Sequence, residues 1–361
     1  MAAIIAVRDA VAAFFPAVPS GVKKRIVSMY ALLLGVNAGA WIWALIAFHH
    51  HPVLLGTAFL AYTFGLRHAV DADHIAAIDN VTRKLMQQGK RPVAVGFFFS
   101  LGHSTIVFGL SLVIALTSVA IKARFNAFET IGGIIGTAIS ALFLLAIAVA
   151  NFFILKSVYR TFQRVKQGGQ FADEDLNLVL ARRGFFGRLF RNLFRLIERS
   201  WQMYLVGFLF GLGFDTATEV GLLGISATEA TRGLSLWSIL VFPTLFMAGM
   251  ALVDSTDSIL MLGAYGWAFL KPIRKLYYNM TITFVSILVA LLIGGIEVLG
   301  LFGDQLKIHG AVWSLIGSLN GNFGIIGFVI IGVFVASWIV SIMIYRMNRY
   351  DEIEVNAGST E

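Results

Sequence analysis

The sequence predicts an all-α polytopic membrane protein with eight transmembrane helices and both termini in the cytoplasm. Three observations carry that prediction. Hydrophobic residues make up 58% of the chain and charged ones only 13%, against about 25% charged in a soluble domain. Apolar runs long enough to cross a bilayer, about 20 residues in helix, recur eight times along the chain. The lysines and arginines fall between those runs and alternate in density from one connection to the next.

In chain order, residues 1–25 carry Arg8, Pro16, Pro19 and the cluster Lys23, Lys24, Arg25. They lack the basic, apolar, small-residue order of a cleaved signal and are expected to form a cytoplasmic tail. Spans 1–4 are expected within 26–155, at roughly 26–48, 53–80, 93–120 and 129–155. Residues 156–200 form a basic cytoplasmic loop, whose stretch from Arg182 to Arg199 mixes Phe and Leu with arginine. That stretch reads as either an amphipathic helix on the inner leaflet or a solvated linker. Spans 5–8 follow within 201–345, at roughly 201–226, 236–264, 277–301 and 312–345, and a tail closes the chain at 346–361. With the termini inside, 23 lysines and arginines lie on the inner side and 4 on the outer side. Such a split fixes the orientation by the positive-inside rule.

Composition also excludes classes. The chain has no cysteine, so it has no disulfide and no thiolate metal site. Its net charge of +8 reflects membrane orientation, since no nucleic-acid recognition fold fits. No GxxxxGK[ST] nucleotide motif occurs, so the chain carries no ATPase of its own.

Charge inside the spans is the functional signal. An ionised side chain at mid-membrane costs roughly 2.5–3.5 kcal/mol. Yet the second span holds Arg67, His68, Asp71, Asp73, His74 and Asp79, and the third holds His103. The fifth holds Asp215 and Glu219, and the sixth Asp254 and Asp257. Arg67 balances one or two carboxylates. The excess of acid requires a bound cation, bound protons, or both. Imidazole with a few carboxylates suits late first-row divalent ions, whereas magnesium and calcium prefer oxygen alone.

Helical geometry constrains how these residues act together. At about 100° per residue, Asp71 and His74 trail His68 by about 60° and 120°, while Asp73 falls about 140° ahead. His68, Asp73 and His74 therefore cannot all face one ion from an ideal helix. Either the helix unwinds near Ala69–Ala72 or one of the three acts from behind the others. Asp254 with Asp257, and Asp215 with Glu219, each share a face.

Four strings, RHAVDADHI at 67–75, LGHSTIVF at 101–108, LGFDTATE at 212–219 and GMALVDSTD at 249–257, resemble the signatures of the nickel/cobalt transporter family. In the last string the family more often has Asp-Thr-x-Asp, and Ser255 with Thr256 departs mildly. Asn37 and Trp41 also resemble the family's first span. The resemblance covers about residues 25–345. It implies eight spans, inner termini, and uptake of Ni²⁺ or Co²⁺ across the cytoplasmic membrane as transported cargo rather than prosthetic group. It also implies that His68, Asp73 and His74 are needed for transport. His103 and Asp71 join them as site candidates. Arg67, Asn37, Asp215, Glu219, Asp254 and Asp257 are expected to support the site or relay the ion.

FGL recurs at 64–66 and 210–212, each time followed by intramembrane charge. Spans 2–3 and 5–6 run in opposite senses, so a repeat pairing them would be inverted. The pairs Gly132/Gly136 and Gly207/Gly211 read as helix packing. His49, His50 and His51, before Pro52, read as either a metal-gathering outer cluster or an ordinary loop. Glu297, near an outer helix end, is expected in solvent. The partners implied are a divalent transition-metal ion and the lipid bilayer. Two other classes share some of these features: an intramembrane metal-dependent enzyme, which would ordinarily carry HExxH or more histidines, and an efflux permease.

Overall fold

The computed structural model describes residues 19–116, 122–166, 197–213, 217–268 and 272–347. Every regular element among them is helical. In order these are α1 (Ser20–Phe48), α2 (Pro52–His68), α3 (Ala72–Gln87), α4 (Val95–Leu116), α5 (Lys122–Lys166) and α6 (Met203–Phe210). They continue with α7 (Ala217–Thr231), α8 (Leu236–Ile239), α9 (Val241–Ala268), α10 (Pro272–Gln305), α11 (Ala311–Asn320) and α12 (Phe323–Met347). Six stretches are each long and apolar enough to cross a membrane: α1, α4, α8 with α9, and most of α5, α10 and α12. Together α2 and α3 make a seventh if counted as one span, bent by 51°. The expected fifth span falls on α6 and α7. Their junction includes residues 214–216, which lie outside the described residues along with the N-terminal tail and most of the basic loop.

Local sequence explains where the helices stop. Pro52 stands at the first position of α2, where its missing N–H costs nothing and its fixed φ suits a helix. Gly89 after α3 and Gly233 after α7 adopt φ of 74° and 78°, a region open to glycine at little cost. The helix α5 runs to Lys166, well past the expected span end at residue 155.

The centre of the bundle inverts the pattern of a soluble protein. The helix α3, ADHIAAIDNVTRKLMQ, is far more polar than its neighbours, yet 13 of its 16 residues are buried. It packs against α4, α5, α9, α10 and α12. The apolar helices turn Leu, Ile, Val and Phe outward at α1, α5, α10 and α12, as lipid contact requires. Burying α3 demands partners for each polar group. Arg83, 1% exposed, donates from Nη1 to Thr283 Oγ1 and from Nη2 to Asn80 Oδ1, each at 2.8 Å. Asn151 Nδ2 reaches the same Asn80 oxygen at 2.6 Å. Ser286 donates to Asp79 at 2.8 Å. These bonds tie α3 to α5 and α10.

Elsewhere helices cross main chain against main chain. A Cβ on Gly65 of α2 would overlap the Phe246 carbonyl of α9, and one on Gly207 of α6 would overlap the Phe99 carbonyl of α4. The packing reading of Gly207, Gly211 and Gly136 holds: Gly207 and Gly211 abut the backbone of α4, and Gly136 that of Leu212 and Gly213 just after α6; the surroundings of Gly132 lie outside what the structure describes. One face of the bundle gathers the start of α1, the α3–α4 connection and residues 197–199. There Arg25 bonds the Arg91 carbonyl at 3.3 Å and Lys90 bonds the Glu198 carbonyl at 2.7 Å.

One sequence expectation is corrected. Glu297 is 1% exposed and accepts a 2.7 Å hydrogen bond from Ser140 between α5 and α10. Its helix continues to Gln305, about one turn further than the expected end at 301, which places Glu297 inside the bundle rather than at its edge.

Candidate metal centre

The site is built where α2 breaks. After His68 the chain leaves the helix for Ala69–Asp71 and re-enters it at Ala72. Asp71 is extended (φ −62°, ψ 146°) and stands at the N-cap position of α3. Such a break is one of the two alternatives that the helical angles leave, and its effect is to swing His74 round toward His68. The two rings lie 4.6 Å apart, nearly perpendicular. His103, near the middle of α4, completes the group, its ring 4.8 Å from His68 and 4.9 Å from His74. One ligand atom from each of the three histidines lies within 4.8 Å of the others, and all three side chains are buried.

The donors and acceptors around the rings set their orientation. His68 Nδ1 lies 2.9 Å from Asp71 Oδ2 and 3.3 Å from Thr218 Oγ1. Proton donation from Nδ1 to the carboxylate leaves Nε2 as the lone-pair nitrogen. That Nε2 stands 2.9 Å from His103 Nε2. His74 Nδ1 faces Asp254 Oδ1 at 3.4 Å, and its Nε2 has no hydrogen-bond partner. Glu219, wholly buried in the first turn of α7, brings Oε1 to 2.7 Å from His103 Nε2 and 3.7 Å from His68 Nε2. The rings of Phe99 and Phe246 close the apolar side, with centroids 4.8 Å from His74 and 5.5 Å from His68.

This arrangement has the chemistry of a cation cage. Nitrogens about 2.0–2.1 Å from one ion and at right angles across it are about 2.9 Å apart. The His68–His103 pair has that separation. Carboxylates behind ring nitrogens are the usual means of fixing a ligand's tautomer, and Asp71 and Asp254 stand in those positions.

The sequence candidates divide accordingly. The structure brings His68, His74, His103 and Glu219 together, with Asp71 and Asp254 behind them. Asp73, half-buried in the first turn of α3, is not in the histidine group, though it is an electrostatic neighbour of His68 and Asp254. Asp257 sits one turn beyond Asp254 and faces Asp79. Arg67 points out of the cluster with its side chain exposed. Asn37 ties three spans together, donating to the Ala248 carbonyl at 3.1 Å and accepting from Tyr62 at 2.9 Å. Asp215 lies outside the described residues. His49, His50 and His51 are exposed, with the rings of His49 and His50 3.7 Å apart. Sequence reasoning missed Thr218, Phe99 and Phe246. The signal for Thr218 was its place between Asp215 and Glu219, on the same charged string.

A chain of apolar helices around a buried imidazole–carboxylate cluster has the features of a multi-pass membrane protein, and the cluster is compatible with a metal ion. Comparison with known sequences makes the class specific. Residues 54–344 match the NicO family, described as high-affinity nickel-transport protein, and the chain belongs to that family. It is 60% identical to a high-affinity nickel transport protein of Cupriavidus necator over 335 residues, covering 93% of this chain and 95% of the relative. It is 51% identical to the hydrogenase nickel incorporation protein HupN of Bradyrhizobium diazoefficiens, over 88% of this chain and 83% of that one. It is 41% identical to the cobalt transport protein NhlF of Rhodococcus rhodochrous, over 79% and 81%. No solved structure matches. These relatives are named as transport or metal-incorporation proteins, which sets the metal-dependent enzyme reading aside.

Proposed function

We propose that this protein is a secondary transporter that takes up Ni²⁺ or Co²⁺ across the cytoplasmic membrane through the buried histidine cluster. The observation that carries the reading is the convergence of His68, His74 and His103, from both sides of a helix break and from a neighbouring span, within 4.8 Å. The metal is cargo, and no prosthetic group takes part. His68, His74, His103 and Glu219 offer nitrogen and oxygen to the ion, a donor set suited to nickel or cobalt. Asp71 and Asp254 hold the rings in register. Asp73 and Asp257, with Asp215 on the fifth span, supply the negative potential that draws a dication along the path. Arg67 and Asn37 support the surrounding helices.

The eight-span arrangement with both termini inside is part of the proposal. Spans 2 and 5 are then both broken helices, α2/α3 and α6/α7, as in transporters whose binding site lies near the midplane. The glycine crossings support an inverted repeat of spans 2–3 and 5–6. Span 2 meets span 6 at Gly65, and span 5 meets span 3 at Gly207, the reciprocal pairing such a repeat requires. Without a nucleotide motif the driving force is an ion gradient or the membrane potential. Inward movement of a dication across 100 mV supplies about 4.6 kcal/mol.

The deciding experiment is uptake of radioactive nickel or cobalt into liposomes holding only this protein in known orientation, with zinc and manganese as competitors. Accumulation driven by an inside-negative potential is the expected result. Metal movement only out of the equivalent inner compartment would make the protein an exporter, and no movement would sink the proposal.

A further inference from the structure

The break at Ala69–Asp71 leaves a helix end inside the bundle, and something must hold it. Within the break the backbone donors turn back onto α2: Ala69 N–H to the Gly65 carbonyl at 3.2 Å, Val70 N–H to the Arg67 carbonyl at 3.0 Å and Asp71 N–H to the His68 carbonyl at 2.9 Å. The surface laid against it belongs to α12, more than 250 residues later in the chain. A Cβ built on Gly327 would overlap the Val70 carbonyl oxygen and stand 3.2 Å from Ile75 Cδ1. The Gly327 hydrogen in that direction therefore points at the carbonyl, a Cα–H···O contact at a helix end whose carbonyls lack intrahelical donors. One turn earlier, a Cβ on Gly324 would stand 3.2 Å from Asp71 Oδ1 and 3.4 Å from Arg67 Nε. Phe323 and Ile330 flank these glycines and are buried in the same apolar cluster as Ala72, Ile75 and Ile78. Further along α12, Gly332 meets nothing within 4 Å.

We propose that α12 is a positioning element for the cation cage: Gly324 and Gly327 set its main chain against the unwound Ala69–Asp71 segment and the Arg67 side chain beside it, and so aim His68 and Asp71. A span that gives no donor to the cluster thereby sets its affinity and its ranking of ions. The inference rests on the cation-site reading above and extends it to the last span. Asp71 is the partner of His68 Nδ1, so a displacement of the Val70 carbonyl or the Asp71 side chain rotates the His68 ring away from His103. Loss of an outer partner of a metal-binding histidine costs about 10–100-fold in affinity.

The test uses the full chain, with nickel and cobalt as probes. Equilibrium binding to purified protein, uptake KM and Vmax, ion competition and metal-free melting temperature are compared for wild type, Gly327→Ala, Gly324→Ala and Gly332→Ala. Gly327→Ala, which forces main chain to shift, is expected to raise the nickel Kd and KM about 10-fold or more and change the nickel-to-cobalt ratio, together with a lower metal-free melting temperature. Gly324→Ala, whose neighbours are flexible side-chain ends, should move the same quantities about 3-fold. Gly332→Ala should change none. If Gly327→Ala does not accumulate, Gly324→Ala decides alone. Wild-type Kd, KM and ion ranking in the accumulating Gly327 and Gly324 variants would overturn the inference while leaving the transport reading intact. Equal loss of Vmax and melting temperature with unchanged KM would reduce α12 to ordinary packing. Absence of nickel and cobalt binding by wild type would overturn the cation-site reading itself, and this inference with it.

Discussion

The helix α3 carries two buried polar clusters, and they are opposites. At its start, His74 joins His68 and His103, three rings whose acceptor nitrogens converge with Glu219. Two turns on, Arg83 and Asn80 join Asn151 and Thr283, where donors alternate with acceptors and distances run from 2.6 to 2.8 Å. Both lie in the same low-dielectric interior, where an unmatched polar group costs about 1–3 kcal/mol. The Arg83 group pairs both terminal guanidinium nitrogens, leaving Nε without a hydrogen-bond partner, and ties α3 to α5 and α10. The histidine group gathers lone pairs that only a proton or a cation satisfies. Depth alone therefore does not mark a site in such a bundle; the balance of donors and acceptors does.

The comparison breaks most cleanly at the rings. His68→Ala, His74→Ala and His103→Ala should each abolish nickel uptake and equilibrium binding while the protein still reaches the membrane in wild-type amount. The loss should exceed the about 10–100-fold that follows removal of an outer partner. Transport assays normalised to membrane abundance check it, and normal accumulation by any of the three would remove that ring from the cage. Asp254→Asn should fall in the range of an outer partner, because the amide keeps the shape but accepts less strongly from His74 Nδ1. Calorimetric titration with nickel reads that change directly.

Arg83→Met should show the reverse profile. Thr283 Oγ1 and Asn80 Oδ1 each lose a hydrogen bond from a charged donor while Asn151 still donates to Asn80; at about 1.5–3 kcal/mol per bond the loss is seen as lower melting temperature and abundance, while surviving protein binds nickel with wild-type Kd. A wild-type melting curve combined with lost binding would place Arg83 in the ion path and erase the contrast. The smallest effect sharpens it. Protons compete with a cation for imidazole nitrogen, so metal must displace them. Nickel affinity should therefore hold above the ordinary histidine range near 6.5 and fall as pH drops through it. Arg83→Met should leave that slope untouched. Binding titrations from pH 5.5 to 8 provide the check, and a flat profile would argue that carboxylates alone hold the ion.

Much of this was legible in the sequence because a bilayer imposes harsh conditions on it. Apolar runs marked α1, α4, α5, α9, α10 and α12, since lipid offers the backbone no partners outside a helix. The break after His68 was legible as one of two alternatives, because His68, Asp73 and His74 on one ideal helix point in incompatible directions. What stayed hidden depends on contacts between distant segments. Nothing local in Glu219 says that it meets His103, which lies 116 residues earlier. Asp73 resembled an equal partner of the two histidines that flank it in the family string, yet the restart of α3 at Ala72 sends it to another side. Glu297 looked exposed only because its helix runs longer than its hydropathy suggests. Gly324 and Gly327 carried no signal at all, since a glycine in an apolar span reads the same whether it faces lipid or a carbonyl.

The glycine crossings also bear on how the cage tells ions apart. At Gly65, Gly96 and Gly207 a helix touches its neighbour with no side chain between them: α2 against α9, α4 against α9 beside Asp254, and α6 against α4. Side-chain layers are the part of an interface that yields, by changing rotamer; apposed backbones do not. The frame around the histidines is accordingly one of low compliance. A compliant frame would shrink or swell around ions whose radii differ by tenths of an ångström and bind them nearly alike. A stiff one stores elastic energy with each departure from its resting size. In the proposed transporter, residues that have no ligand chemistry would thus turn the cage into a gauge of ionic radius.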